Sequence, residues 1–139
     1  MRIAASVNNR DRDHRVTVTT EGVSQILPIS AKDVGRGSRV NGGEFLMLAL
    51  ATCCCNDIYR EAERLGIAVD AVDVEAEADF DGVGLAARNI RYRVRVESPA
   101  TRAVVEELLR QTDAVAEVHN TLRSGAAVSL TAWDTEHRE

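Results

Sequence analysis

The chain has 139 residues, of which 45% are hydrophobic and 28% are charged, and its formal net charge is −5. This length and composition are typical of one ordinary globular domain and exclude a disordered chain. The acidic balance and the 4% aromatic content disfavour nucleic-acid binding, which needs basic side chains and stacking rings.

The sequence also predicts the cellular compartment of the protein. No apolar run approaches the roughly 20 residues of a membrane span, so we expect no membrane association. The first residues, MRIAASVNNRDRD, lack the apolar stretch of a signal peptide, and we expect a cytoplasmic protein. The consecutive cysteines Cys53, Cys54 and Cys55 match neither a disulfide framework nor a Cys-x-x-Cys knuckle, and are expected to be free thiols.

The first half of the chain predicts three strands and a long helix. Apolar and polar residues alternate around Ile3 and again around Val16, and a turn at Glu21–Gly22 leads into a third strand over 23–29. A glycine-rich loop is expected over 31–43. Residues 44–65 predict one helix that is apolar on nearly every face as far as Cys55, and we therefore expect sheet or a partner chain to bury it all round.

The following segment predicts a hairpin with opposite charges on its exposed faces. Apolar residues alternate with acidic residues over 72–80 and with arginines over 90–96. Cross-strand ion pairs are the interpretation we favour for these stripes. A phosphate-binding role for the arginines is the alternative.

The last third predicts two helices and a final strand. Ser98 as N-cap and Pro99 at the first helical position indicate one helix start, and Thr112 indicates a second. The segment around Val128 and Leu130 predicts a strand. Because the strands come in antiparallel groups and not as βαβ repeats, we expect an α+β fold in a single domain over 1–139.

Two segments resemble the OsmC/Ohr family of thiol-dependent peroxide-resistance proteins. The segment GGEFLMLALATCCCNDIYREAERLGI (42–67) is similar to the family's central helix, and Glu44 and Cys53 match its spacing between a glutamate and a reactive cysteine. The segment AEVHNTLRSG (116–125) resembles the family's second-cysteine segment, which typically reads Cys-Pro-Val, polar residues, then Leu. The resemblance implies antiparallel sheets wrapped around a long central helix, in an intertwined homodimer with active sites at the subunit interface.

The sequence departs from this family at the second cysteine. Ala116 stands at the position of the resolving cysteine and Glu117 at that of the following proline, while Val40 and Gly42 replace prolines common before the helix. In the reaction that the resemblance implies, the first thiolate attacks a peroxide O–O bond and becomes a sulfenic acid. Without a second cysteine, either an external thiol resolves the sulfenic acid or the activity is lost.

A peroxidatic cysteine must be a thiolate near neutral pH, which requires positive charge nearby. Cys53 lies too far into its helix for the helix dipole to help, and Asp57, one turn on, is expected to raise the thiol pKa. An arginine must therefore come from elsewhere, and Arg39, just before the motif, is our choice. The other candidates are Arg10, Arg12, Arg15 and Arg36.

The position of Glu44 predicts a dimer. In one straight helix, nine residues put Glu44 and Cys53 on opposite sides, about 13.5 Å apart along the axis. The two residues can share a site only if Glu44 lies outside the helix or if a partner chain supplies the missing side, and the partner chain agrees with the homodimer that the resemblance implies.

Each candidate residue also has a purely structural interpretation. Cys53 could be a small buried core residue, as we expect for Cys54 and Cys55, and Glu44 a first-turn carboxylate favoured by the helix dipole. His119 is interpreted as a surface histidine on an amphipathic helix, with a general base as the alternative. We expect no cofactor, and no ligand spacing supports a metal site.

The function predicted by the resemblance is thiol-dependent reduction of small organic hydroperoxides or hydrogen peroxide through Cys53, with a thiol reductant as the second substrate. The alternative is a non-catalytic homologue that binds a small hydrophobic ligand at the dimer interface. A third possibility is a structural relic whose cleft is filled by side chains. Whether the chain is an enzyme stays open from the sequence.

Overall fold

The computed structural model describes residues 1–133, which divide into two compact units. The first unit comprises Met1–Leu48 and Gly82–Leu85, and the second comprises Ala49–Asp81 and the described residues from Ala86 onward. The prediction of a single domain over 1–139 stays a prediction. No helix within the described range has the length and hydropathy needed to cross a membrane.

The first unit contains the predicted three-stranded meander. Its strands β1 (Ile3–Arg10), β2 (Asp13–Thr20) and β3 (Val23–Leu27) form an antiparallel sheet in the order β1-β2-β3. Positive φ angles of 49° at Glu21 and 79° at Gly22 allow a two-residue connection whose twist matches the flanking strands.

Helix α1 (Gly42–Leu65) begins and ends with recognisable caps. At its start, the Glu44 amide donates to the Asn41 side chain at 2.8 Å, and the Asn41 amide donates to the Glu44 carboxylate at 3.1 Å. This reciprocal pair is a capping box, which satisfies two otherwise free donors. At its end, Gly66 adopts a φ of 69° and the Ile67 amide donates back to the Ala62 carbonyl, which confirms the predicted stop at Gly66.

The second unit contains the predicted hairpin. Strands β4 (Ala71–Asp79) and β5 (Arg88–Glu97) pair antiparallel, and each arginine of the stripe lies opposite an acidic residue. The register places Asp73 opposite Arg95, with 2.9 Å between carboxylate and guanidinium. The preferred interpretation of the charge stripes is therefore confirmed: the arginines of this stripe are paired with their cross-strand neighbours. The remaining pairs are Glu75 with Arg93 and Glu77 with Arg91.

The two C-terminal helices begin at residues other than those predicted. Helix α2 (Arg102–Val115) is capped by the Thr101 side chain, because the Ser98 hydroxyl instead donates to the Ala68 carbonyl. Thr112 does not cap a second helix. It lies inside α2, 1% exposed, with its hydroxyl satisfied by the Leu108 carbonyl one turn earlier.

Helix α3 (Glu117–Arg123) follows directly, with Ala116 as the extended residue between the helices. The predicted end near Gly125 is confirmed, with a φ of 63° at that glycine. The strand predicted around Val128 and Leu130 is wrong: within the described part of the chain, residues 126–133 form no strand. Both side chains are fully exposed, so nothing buries an apolar strand face there.

The core of the second unit lies between α1, α2 and the hairpin. Cys54, Ile58, Ala62 and Leu108 are at most 3% exposed, and the inward-facing residues of β4 and β5 pack against them. Antiparallel sheets and a long helix confirm the α+β class. The expectation that α1 is buried on every face is not met within one chain, because Leu48 is 56% exposed.

We expect Leu108→Ala to lower the free energy of unfolding by about 2–5 kcal/mol, because it leaves a cavity in this fully buried cluster. Leu130→Ala is the matched control and should change stability by no more than about 0.5 kcal/mol, since that side chain is fully exposed. Denaturant unfolding of both variants tests the assignment. Equal losses in the two variants would contradict it.

Candidate functional site

Cys53 lies half-buried on α1 beside two carboxyl groups. Its thiol donates to Asp57 Oδ2 at 3.4 Å, one helical turn further on, and lies 3.9 Å from Glu117 Oε2 of α3. Helical geometry explains the first contact, because residues four apart lie on the same face. The second contact depends on the break between α2 and α3, which places Glu117 at the start of a new helix.

Arg60 holds the two carboxyl groups together. Its guanidinium lies 3.2 Å from Asp57 and 3.3 Å from Glu117. The negative charge of Glu117 acts on Asp57 and raises the pKa of that carboxyl group. Asp57 is only 5% exposed, whereas the side chains of Arg60 and Glu117 are about half exposed or more. The cluster therefore runs from a buried carboxyl group beside the sulfur to a solvent-facing ion pair.

The electrostatics of this cluster favour the neutral thiol, which differs from the thiolate expected from the sequence, because within the described chain burial and two carboxyl groups act on the sulfur. Burial raises the pKa of Cys53; the backbone amide of Val118 lowers it, but the hydrogen bond and negative charge of Asp57 raise it further. Burial likewise raises the pKa of Asp57, with the charge of Glu117 adding to the effect. The pKa of Glu117 is lowered by a backbone hydrogen bond and by Arg60, so Glu117 is the member that stays ionised to lower pH.

The other two cysteines have different surroundings. Cys54 is 2% exposed in the core, where burial raises its pKa to about 12, and this confirms its predicted packing role. Cys55 is not the core residue that the sequence predicted, because it is only half-buried and lines a shallow surface hollow with Thr52 and Val74. Of the triplet, Cys53 is the one whose sulfur is hydrogen-bonded to charged side chains in the described chain.

The predicted partners of Cys53 have their own contacts in the first unit. Glu44 lies in the first turn of α1, as its structural interpretation predicts, and also completes the capping box with Asn41. The guanidinium of Arg39 is ion-paired with Asp33. The assignment of both residues to the site of Cys53 stays a prediction.

His119 is not the surface residue that the sequence predicted. It is 3% exposed, both ring nitrogens lack a hydrogen-bond partner within the described chain, and its ring meets Tyr92 edge-on at 4.4 Å. Burial lowers its pKa, with the charge of Arg123 acting in the same direction. The imidazole is therefore neutral at physiological pH.

Beside His119 lies a small, mainly apolar cavity of about 190 Å³. A hydrogen-bonded group adjoins it, in which Asp113 accepts from the Tyr92 hydroxyl and from Arg123 at 2.7 Å. The residues lining the cavity are Leu50, Ile90, Arg91, Tyr92, His119, Leu122 and Arg123.

Cys53, Asp57 and Glu117 also form a possible set of metal ligands, since one sulfur and two carboxylate oxygens lie within 4.8 Å of one another. Hydrogen bonds and the Arg60 ion pair already satisfy these groups, so the cluster carries no metal assignment. These contacts place a proton acceptor, the carboxyl group of Asp57, within hydrogen-bond distance of the Cys53 thiol.

Comparisons with known proteins agree on one family. The family model described as OsmC-like protein matches residues 35–131, which is most of the chain. The chain therefore belongs to the OsmC-like family. No curated protein sequence matches it significantly.

Solved structures support the same fold. An OsmC-like protein from Mycoplasma pneumoniae is similar over 88% of this chain and 86% of its own, with a TM-score of 0.60 and 20% identity. A protein from Legionella pneumophila, described as an organic hydroperoxide resistance protein, aligns over 88% of this chain and 90% of its own, with a TM-score of 0.59 and 16% identity. An organic hydroperoxide resistance protein from Elizabethkingia anophelis aligns over 88% and 89%, with a TM-score of 0.60 and 13% identity.

Sequence reasoning missed two members of the cluster. Arg60 could have been found, because it follows Asp57 by three residues and such pairs meet on a helix face. Glu117 was noted only as a replacement for proline, and its contact with Cys53 depends on tertiary packing that no local pattern reveals.

Asp113→Asn should destabilise the fold at neutral pH by about 1 kcal/mol, a small value because the side chain is 42% exposed to screening solvent. Burial opposes ionisation of Asp113, but hydrogen bonds from Tyr92 and Arg123 outweigh it and lower its pKa in the folded state. The stabilisation is thus present above the unfolded-state pKa and is lost as pH falls through the lowered folded-state pKa.

Unfolding free energies of wild type and Asp113→Asn, measured from neutral to acidic pH, test this assignment. Asp73→Asn, which removes an exposed cross-strand carboxylate, is the control. A loss in Asp113→Asn that is the same at all pH values would contradict it.

Proposed function

We propose that this OsmC-like protein is a homodimeric thiol peroxidase in which Cys53 reduces small organic hydroperoxides or hydrogen peroxide. The observation that carries the proposal is the environment of Cys53: a half-buried thiol hydrogen-bonded to Asp57, beside a core cysteine that is sealed from solvent. Membership of the OsmC-like family supports it, as do neighbours whose descriptions name hydroperoxide resistance.

The proposed chemistry balances with one external reductant. The sulfur of Cys53 attacks a peroxide oxygen, the O–O bond breaks, the thiol becomes a sulfenic acid, and the peroxide becomes an alcohol or water. Because Ala116 cannot resolve the sulfenic acid, a first external thiol forms a mixed disulfide with release of water. A second external thiol then restores Cys53 and leaves as a disulfide.

The proposal includes a second copy of the chain. Ile3, Val7 and Val23 lie on one face of the first unit's sheet and are 65%, 63% and 70% exposed. Apolar residues grouped on a sheet face are typical of a surface covered by a partner. In such a homodimer Arg39 and Glu44 are proposed to line the peroxide cleft from the partner side. A reducing cytoplasm would keep Cys53 in its thiol form.

The apolar cavity beside His119 favours a second candidate function. At about 190 Å³ the site is smaller than the roughly 300–1,000 Å³ of pockets for drug-sized ligands, and it would take only a small, mainly apolar molecule, without any reaction at Cys53. The two functions differ in one respect: only the peroxidase consumes the thiol of Cys53.

One equivalent of cumene hydroperoxide should convert reduced wild-type protein to the Cys53 sulfenic acid within seconds, trapped by a dimedone-type reagent and located by peptide mass spectrometry. Cys53→Ser should lose the adduct, and Cys55→Ser, the matched control, should keep it. Unchanged thiols after minutes would reject the peroxidase and favour the ligand-binding alternative.

Sedimentation at micromolar concentration should give a dimer for the wild type. Val7→Arg should shift the protein towards the monomer, because it puts a charge on the apolar sheet face. Ser6→Arg is the matched control, since neighbouring residues of a strand point to opposite faces. A folded wild-type monomer would contradict the proposed dimer.

A further inference from the structure

We propose that Asp57 is a catalytic residue of this site: it accepts the proton of the Cys53 thiol as the sulfur attacks, with Arg60 and Glu117 as positioning residues. This inference rests on the proposed function, since it names the group that activates the same thiol. The residues predicted for this site from the sequence are Arg39 and Glu44, and Asp57 was predicted only to raise the pKa of the Cys53 thiol.

The geometry around the sulfur supports the assignment. The Cys53 sulfur lies 3.4 Å from Asp57 Oδ2 and 3.9 Å from Glu117 Oε2, so Asp57 is the nearer acceptor for its proton. Asp57 Oδ1 is held by Arg60 at 3.2 Å, so the carboxylate presents its other oxygen to the thiol. This is the arrangement of a nucleophile, a base and a third group that orients the base.

Charge around the sulfur argues for a proton acceptor over a preformed thiolate. Two carboxyl groups lie beside Cys53, and the one guanidinium in the cluster is ion-paired with both. The charges within the described chain would repel a thiolate at Cys53, whereas a neutral thiol gains a hydrogen bond there. Such a thiol reacts when its proton moves to a base during attack, which does not require a stable anion.

The proton that Asp57 accepts from the thiol is passed on to the product alcohol, which completes the reaction. The S–H proton moves to Asp57 as sulfur bonds to the distal peroxide oxygen. The O–O bond then gives its electron pair to the departing alkoxide, and Asp57 returns the proton to form the alcohol. Sulfur is oxidised to the sulfenic acid and the peroxide is reduced, so the thiol, the peroxide and their two products balance.

Glu117 sets the pH at which Asp57 can act. The groups that act on Asp57 are Cys53, Cys54 and Arg60 of α1, and Glu117 and His119 of α3. Burial raises the pKa of Asp57, and the negative charge of Glu117 raises it further. A base whose pKa is closer to neutral is better matched to proton transfer at physiological pH.

The test compares Asp57→Asn with Glu61→Gln in the full chain. Glu61 is a matched control: it is 6% exposed, ion-paired to Arg64 three residues on, and one turn beyond Asp57 on the same helix. The readout is the second-order rate of Cys53 oxidation by cumene hydroperoxide as a function of pH. Thermal unfolding checks that both variants fold.

The two roles that Asp57 could have, a base or a purely electrostatic neighbour, predict opposite effects of Asp57→Asn on the rate of Cys53 oxidation. If Asp57 is the base, Asp57→Asn lowers the rate at neutral pH by about 10- to 100-fold and moves the onset of reaction to alkaline pH, while Glu61→Gln keeps the wild-type rate. If Asp57 only repels the thiolate, its removal lowers the Cys53 pKa and makes the reaction faster. An unchanged or faster rate in Asp57→Asn overturns the proposal.

Glu117→Gln is the second test, for use if Asp57→Asn does not fold. Because the Glu117 side chain is exposed, we expect this variant to fold. Without its charge the pKa of Asp57 falls, so the acid limb of the rate profile should move to lower pH. An unmoved limb, or a loss of rate as large as that expected for Asp57→Asn, would overturn the assignment.

Alkylation of Cys53 by iodoacetamide separates this inference from the proposed function. A base at Asp57 assists attack on any electrophile, so Asp57→Asn should slow alkylation by about tenfold or more. If peroxide fails to oxidise the wild type but alkylation still depends on Asp57, the proposed peroxidase function is wrong and the role of Asp57 as a base is retained. If peroxide oxidises the wild type and Asp57→Asn at equal rates, the role of Asp57 as a base is wrong and the proposed peroxidase function is retained.

Discussion

The hydrogen bond from the Cys53 thiol to the buried carboxyl group of Asp57 is the constraint on which the chemistry of this protein depends. A sulfur in this position, with a second acid behind the first, is held as a neutral thiol. Burial and negative charge act together on it, and the amide of Val118 only partly opposes them. Any reaction of Cys53 must therefore include a route for its proton.

The fold buries one side of this cluster and leaves the other side exposed to solvent. Asp57 precedes Ile58, which is fully buried in the core of the second unit. Arg60 and Glu117 face solvent and join α1 to the start of α3. A buried carboxyl group with an exposed ion pair behind it is held in place without being sealed, and this is compatible with the proposed entry of a small peroxide and of a thiol reductant.

Local sequence patterns predicted those parts of the fold that depend on local rules. The charge stripes predicted the cross-strand ion pairs of the hairpin, and Gly66 and Gly125 predicted two helix ends. The errors fall where tertiary contacts decide. Thr112 is satisfied inside α2, and Val128 has no neighbouring strand in the described chain, although each fits a local pattern.

The candidate site was predictable only in part, for the same reason. Cys53 follows from its spacing to Glu44, and Asp57 was recognised as a group that would raise the thiol pKa. The contact between Cys53 and Glu117 joins residues 64 positions apart in sequence, and the ring of His119 meets Tyr92 of the hairpin, so tertiary packing brings these residues together. The sequence therefore indicated the reactive sulfur but not the carboxyl cluster around it.

Carbon-13 NMR titration of the full-length protein, with the Cys53 β-carbon and the Asp57 carboxyl carbon labelled, tests the central claim most directly. The account predicts that Cys53 stays a neutral thiol through neutral pH, and that the Asp57 carboxyl titrates at a higher pH than an ordinary aspartate. A Cys53 resonance that reports a thiolate at neutral pH, with Asp57 titrating in the ordinary range, would contradict it.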